Sequence, residues 1–149
     1  MIRYGLLFAA LLCLPAPRSP RLPAPLPTGP ASLKEMGDSA RGAWERRDLR
    51  AFLAPAGAGR LQVILPPDRQ SAPITADQAR ALLSSYVQGT QEVKATLLGA
   101  TVVDSIQGYV ELNRRYRTVG IPGERESLIL LGYRRGRSAW VLVEVRIAS

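Results

Sequence analysis

Residues 75–89 read TADQARALLSSYVQG, and the pattern of the chain changes from helical to extended where this stretch ends. Thr75 and Gln78 have the spacing of a capping box, apolar residues then recur at helical intervals, and Gly89 ends the pattern. Beyond Gly89 the residues alternate with a period of two and are rich in Val, Leu, Ile, Tyr and Thr, which predicts strands. The predicted strands are 92–103, 108–118, 126–134 and 138–147.

Before this stretch the chain predicts two further helices and one strand. Ser32 and Glu35 form a second capping box at the start of a first helix. Asp48 caps a shorter helix that carries Leu49, Phe52 and Leu53, and residues 61–65 (LQVIL) predict a short strand. Helices followed by closely connected strands give an α+β fold, in which the helices pack on one face of a curved, mainly antiparallel sheet.

The last strand shows the clearest alternation, and it sets the predicted register. Val141, Val143, Val145 and Ile147 are expected on one face, with Val143 as an anchor in the middle of the core. Trp140, Leu142, Glu144 and Arg146 are expected on the other face. Residues 127–133 (SLILLGY) are apolar at both alternating sets of positions, which predicts a central strand covered on both faces.

The order of these elements resembles the nuclear transport factor 2-like (cystatin-like cone) superfamily, and in particular small secreted bacterial domains of unknown function within it. The resemblance covers about 31–149 and rests on Arg47-Asp48-Leu49, on residues 75–79 and on the ending WVLVEVRI (140–147). It implies a pocket between the concave sheet and the helices. Superfamily members include enzymes, small-molecule binders and dimerisation modules, so the resemblance does not choose a function.

The first 30 residues are predicted to lie outside the domain. Residues 1–14 contain an apolar run of ten residues, too short for a membrane span of about 20 and typical of a signal peptide. A lipoprotein signal at Cys13 is disfavoured by Leu12, and an uncleaved anchor is the other alternative. Residues 15–30 hold seven prolines and predict an extended linker, which leaves 31–149 as a single domain.

Composition excludes many chemistries. The chain has no His, and its one Cys, Cys13, lies in the segment expected to be removed. A Ser-His-Asp triad, a Cys-His pair and a His-ligated zinc site are therefore excluded. No phosphate-binding loop or calcium loop is recognised, so we expect neither a metal nor a cofactor, and we assign no catalytic residue. Without His, only carboxylates and tyrosines remain as candidates for acid–base chemistry.

The candidate ligand contacts lie on two of the predicted strands. Because Glu144 and Arg146 share a face with Trp140 in the predicted register, that face mixes polar and apolar groups as a pocket wall does. Glu111, on another predicted strand, is a second carboxylate that a pocket could enclose. The candidate contacts are Glu111, Trp140, Glu144 and Arg146.

The sequence therefore favours an exported, non-catalytic module that binds a small molecule or an envelope protein. The alternative is a His-independent acid/base enzyme that uses a carboxylate in the cone pocket. The partner is expected to be a small molecule, an envelope protein or a second copy in a homodimer, with no nucleic acid and no membrane span in the mature chain. The net charge of +8 includes Arg114 and Arg115 as well as Arg134, Arg135 and Arg137, and these arginines are expected to form a solvated basic edge that serves solubility. The alternative is that this edge attracts an anionic polymer, lipid headgroups or an acidic partner.

Removal of residues 1–30 should leave the fold intact, because their apolar run and proline-rich stretch offer nothing to a helix–sheet core. A chain that begins at Ala31 should unfold cooperatively, with the melting temperature of the longer chain, in a thermal scan followed by circular dichroism. A truncated chain that is insoluble or melts without cooperativity would contradict this assignment.

Overall fold

Three α-helices and a seven-stranded sheet form the part of the chain that the computed structural model describes, residues 31–67 and 69–149. The predicted signal segment 1–14 and linker 15–30 lie outside the described residues. Within the described ranges no helix has both the length and the apolar character needed to cross a bilayer.

The helices begin where the caps predict. They are α1 (Leu33–Glu45), α2 (Leu49–Leu53), which continues into a 3-10 turn, and α3 (Ala76–Val87). In the capping box of α1 the Ser32 hydroxyl accepts a hydrogen bond from the backbone N–H of Glu35 at 3.2 Å. The hydroxyl of Thr75 accepts from the N–H of Gln78 at 3.3 Å in the same way at α3. Both boxes satisfy backbone donors that the first helical turn leaves unpaired.

The sheet has the order β2-β1-β7-β6-β5-β4, with β3 paired to β1. Its four long strands form an antiparallel meander, and β1 joins β7 in parallel, so the sheet is mixed but mainly antiparallel, as the sequence predicts. The strands are β1 (Arg60–Leu65), β2 (Arg69–Gln70), β3 (Ile74–Thr75), β4 (Thr90–Val102), β5 (Gln107–Thr118), β6 (Glu124–Arg135) and β7 (Trp140–Ala148).

Helix α1 packs closely on β4 and β5 and so defines the helix-facing side of the sheet. A Cβ atom placed on Gly37 would lie 2.9 Å from the side chain of Leu97 and 3.0 Å from that of Val110. Only a residue without a side chain permits this approach of helix to sheet. Residues that alternate with Val110 along β5 are buried on this side, whereas the intervening residues lie on the opposite side, called here the outer face.

The predicted register of β7 is wrong in its first half, because a β-bulge interrupts the alternation. Tyr133 pairs with Leu142 and Gly132 pairs with Glu144, so Val143 has no partner on β6. A bulge of one extra residue exchanges the two faces of the strand beyond it. Leu142 is consequently fully buried on the helix-facing side, and Val143 is half-buried at the outer face and is not the core anchor.

The prediction that β6 is covered on both faces is also corrected. The strand is central, because it lies between β5 and β7, but the helices cover only one of its faces. Ile129 and Leu131 are buried on the helix-facing side, whereas Leu128 on the outer face is exposed. The apolar residues on the outer face of β6, Leu128 and Leu130, are therefore not fully buried by the described domain.

The bulge predicts opposite responses to the same substitution at neighbouring positions. Val145 is fully buried, pairs with Leu131 and lies beside Val63 of β1. Val145→Asp places a carboxylate in the core without a partner and should lower the free energy of unfolding by about 3 kcal/mol or more. Val143→Asp should cost less than about 1 kcal/mol, since surface substitutions have small effects.

Urea denaturation of both variants measures the difference directly. Equal losses for Val143→Asp and Val145→Asp would show that β7 alternates without a bulge.

Candidate functional site

The space between the helices and the sheet is filled by large side chains rather than left as an open pocket. Trp44 and Phe52 pack edge to face there with ring centroids 5.0 Å apart. Leu112 of β5 and the side chain of Arg114, which is 1% exposed, also lie within this space. A fully buried arginine is rare unless its charge is paired, so its partners indicate the role of this region.

A single carboxylate, that of Glu92, forms an ion pair with Arg114. Its Nε donates to both oxygens of Glu92, at 2.8 and 3.0 Å, and its Nη2 also donates to this carboxylate. The side chain of Glu92 is only 6% exposed. The Nη2 donates further to the hydroxyl of Thr90 at 2.9 Å, and that hydroxyl donates to the carbonyl oxygen of Val87 at the end of α3. The ion pair thereby ties β5 to β4 and to α3.

Three aromatic rings enclose the guanidinium. Its central carbon lies 4.0 Å from the ring centre of Tyr116, 5.4 Å from that of Trp44 and 5.8 Å from that of Tyr86. Burial raises the pKa of the Tyr86 phenol, and this effect outweighs the opposing influence of Arg114. Tyr86 is therefore neutral at physiological pH and is not available as a base.

The cluster of Arg114, Glu92 and these rings has little capacity left for catalysis. The Oε2 of Glu92 accepts a further hydrogen bond from the indole Nε1 of Trp44 at 3.1 Å, so both carboxylate oxygens are engaged. A buried carboxylate that is held by a guanidinium is costly to separate from its charge partner. This arrangement stabilises a closed interior instead of presenting a reactive group.

The structure separates the four residues that the sequence proposed as ligand contacts. Trp140 is buried on the helix-facing side, where Arg135 stacks over its ring at 5.0 Å. Glu111, Glu144 and Arg146 lie on the outer face, where Arg146 and Glu111 flank Leu130 of β6 on either side. Because the bulge moves Trp140 to the other side of the sheet, the mixed wall expected from alternation is not formed.

Glu144 borders an open depression of about 310 Å³ on the outer face. Gln62, Glu144, Gly132 and Tyr109 follow one another across four neighbouring strands at this point. The ring of Tyr109 covers Gly132, since a Cβ atom at position 132 would lie 3.4 Å from it. The Glu144 carboxylate lies 3.3 Å from Nε of Arg146, and two further arginines, Arg60 and Arg134, complete the rim.

The sequence interpretation missed Glu92 and wrongly placed Arg114 on a solvated edge, whereas its side chain is buried. One signal does identify the buried arginine. Gly108, Val110 and Leu112 precede Arg114 at every second position of β5, so Arg114 continues the buried set. A charge in phase with core residues indicates a buried ion pair. Its partner is hidden because β4 contains register shifts after Glu92 and after Leu97, which break the period on that strand.

Comparison with known proteins identifies the fold. No protein-family profile and no curated protein sequence matches the chain. Among solved structures, a DUF4783 family protein from Bacteroides uniformis has a TM-score of 0.62 at 10% identity, over 75% of this chain and 94% of that one. A ketosteroid isomerase-like protein from Erwinia carotovora atroseptica has a TM-score of 0.63 at 12% identity, over 77% and 91%.

A nuclear transport factor 2-like protein of unknown function from Shewanella oneidensis is also similar, with a TM-score of 0.57 at 12% identity over 78% of this chain and 96% of that one. The chain therefore has the nuclear transport factor 2-like, cystatin-like fold that the sequence resembles. At these identities the likeness concerns the fold alone.

The buried ion pair predicts strong coupling between its two members. Arg114→Met should lower the free energy of unfolding by about 3–5 kcal/mol, because it leaves the Glu92 carboxylate buried without a charge partner. Adding Glu92→Met should recover part of that loss, since the double variant buries no unpaired charge. Urea denaturation of the two single variants and the double variant closes the cycle. Additive losses would show that the two side chains do not interact.

Proposed function

We propose that this chain is an exported, non-catalytic interaction module that binds an envelope protein, or a second copy of itself, through the outer face of its sheet. The observation that carries the proposal is the filled interior. The position at which the fold offers an internal pocket holds Arg114 and Glu92, locked together among aromatic rings. The binding surface is therefore sought on the outside of the sheet.

The depression around Glu144 suits a protein partner better than a small molecule. Small-molecule sites are concave and bury most of the ligand surface, whereas this depression is partly open to solvent. It offers a carboxylate at Glu144, an amide at Gln62, a phenol at Tyr109 and two arginines at its rim. Such mixed donors and acceptors match the polar groups of a protein surface.

The acid/base enzyme is the weaker reading of the same residues. Glu111 is exposed on the open sheet surface and Glu144 is drawn towards Arg146, so neither carboxylate lies in an enclosed site. General acid–base catalysis favours a carboxyl group whose pKa is raised by burial, which requires an enclosed position. The proposal of export rests on the apolar run in residues 1–14.

Site-specific photo-crosslinking in the producing cell tests this function. A photoreactive phenylalanine analogue at Tyr109 or Gln62 should give a discrete crosslinked product, whereas the same analogue at Ser84 on α3 should not. A product of about twice the mass of the chain identifies a second copy, and any other discrete mass identifies a different protein.

Glu144→Arg in the crosslinking chain should abolish the product, because it reverses the central charge of the depression. Equal crosslinking from Ser84, or no product from either outer-face position, would overturn the proposal. Stoichiometric copurification of a small molecule that Glu144→Gln releases would favour the enzyme or small-molecule alternative instead.

A further inference from the structure

The turn that joins β4 to β5 presents a cluster of aliphatic side chains to solvent. Val102, Val103 and Ile106 are each more than half exposed there. Turn positions usually carry polar residues, and isolated exposed aliphatic residues are common, but three at one tip form a patch. The described domain provides no side chain that covers them.

This apolar tip is held in a fixed shape. Oδ1 of Asp104 accepts hydrogen bonds from the backbone N–H groups of Ile106 and Gln107, at 2.8 and 2.7 Å. The N–H of Val103 donates to the carbonyl oxygen of Gln107 at 2.9 Å, which closes the turn. The aliphatic side chains are thus displayed by an ordered turn, which reduces the entropy lost when they bind.

Unpaired arginines lie beside the apolar tip. The backbone N–H of Arg135 donates to the carbonyl oxygen of Ile106 at 2.8 Å, which places the β6–β7 turn next to the tip. Arg134, Arg135 and Arg137 are all exposed, and none has a carboxylate partner among the described residues. Contrary to the sequence expectation, Arg135 does not simply project into solvent, since it stacks on Trp140.

The opposite end of the sheet supplies an internal comparison. Its β5–β6 turn also exposes aliphatic residues, Val119 and Ile121. Near that turn, however, Arg115 and Arg117 share the carboxylate of Glu124. Among the described residues, the first end differs because its aliphatic tip lies beside three arginines that have no carboxylate partner.

We infer that the end of the sheet formed by the β4–β5 and β6–β7 turns docks on an anionic phospholipid surface. Protruding aliphatic side chains enter the interfacial region of a bilayer, and arginines around them bind lipid phosphates. The chain also enters the domain at this end, because Ala31 and Ser32 line a cavity together with Arg135, Arg137 and Trp140. Ala31, the first described residue, therefore lies on the side that would face the bilayer.

Vesicle sedimentation with the whole chain tests this inference. Binding is measured on vesicles of phosphatidylcholine alone and of phosphatidylcholine with 30% phosphatidylglycerol, at low and high salt. Arg137→Glu should weaken binding to the anionic vesicles about 25-fold, because each charge near the surface contributes about fivefold. The matched control, Arg125→Glu at the other end of β6, has the same net charge and should bind as the unchanged chain does.

The aliphatic tip is tested by Val103→Thr with Ile106→Thr, which keeps both side chains β-branched and reduces their apolar surface. This variant should bind anionic vesicles at least tenfold more weakly with an unchanged melting temperature, whereas Val119→Thr with Ile121→Thr should bind normally. Since every variant retains residues 1–30, any binding by that segment is common to all of them.

Equal binding by all variants, or equal loss from Arg137→Glu and Arg125→Glu, would overturn the inference. Loss from Arg137→Glu without loss from the threonine variant would also overturn it, because it would show attraction to surface charge without insertion of the aliphatic tip. Full competition by free glycerol phosphate would indicate a headgroup pocket instead of a membrane surface. The outer-face crosslinks are unaffected by these results, because Arg137→Glu leaves the depression around Glu144 intact.

Discussion

The buried ion pair between Arg114 and Glu92 is the constraint on which the interior depends. Removing two charges from water costs several kcal/mol each, and only a complete set of hydrogen bonds offsets this cost. Here Thr90 and Trp44 add hydrogen bonds to those that the two charged groups make with each other. The relative positions of α1, α3, β4 and β5 are consequently fixed by polar geometry as well as by apolar packing.

The β-bulge at Val143 is the second feature with consequences across the sheet. It allows Leu142 and Val145, three positions apart, to face the same core, and it turns Val143 and Glu144 towards the outer face. The depression beside Gly132 and Tyr109 exists because of this local change in direction. Bulges re-aim side chains in this way near functional surfaces in many sheets, so one extra residue on β7 shapes both the core and the outer face.

Much of the fold follows from local signals, and the site does not. The capping residues Ser32 and Thr75 and the alternation along β5 are encoded within a few positions, so the three helices and the five longer strands are predicted, whereas the two-residue strands β2 and β3 are not. The bulge is a feature of the pairing between β7 and β6, and nothing in WVLVEVRI marks where it occurs. Pairing of Glu92 with Arg114 is likewise a contact between strands, although the period of β5 shows that Arg114 is buried.

Whether such a fold serves an enzyme or a binding module depends on the side chains inside it. Catalysis in such a domain needs a carboxylate that is enclosed yet free to exchange a proton. Here the enclosed carboxylate, Glu92, is bound by a guanidinium and an indole, and the unenclosed ones, Glu111 and Glu144, lie on an open sheet. The buried carboxylate is thus not free to exchange a proton, and the free carboxylates are not buried. In the proposed function, the interior therefore stabilises the fold, and recognition is assigned to the outer face and to the ends of the strands.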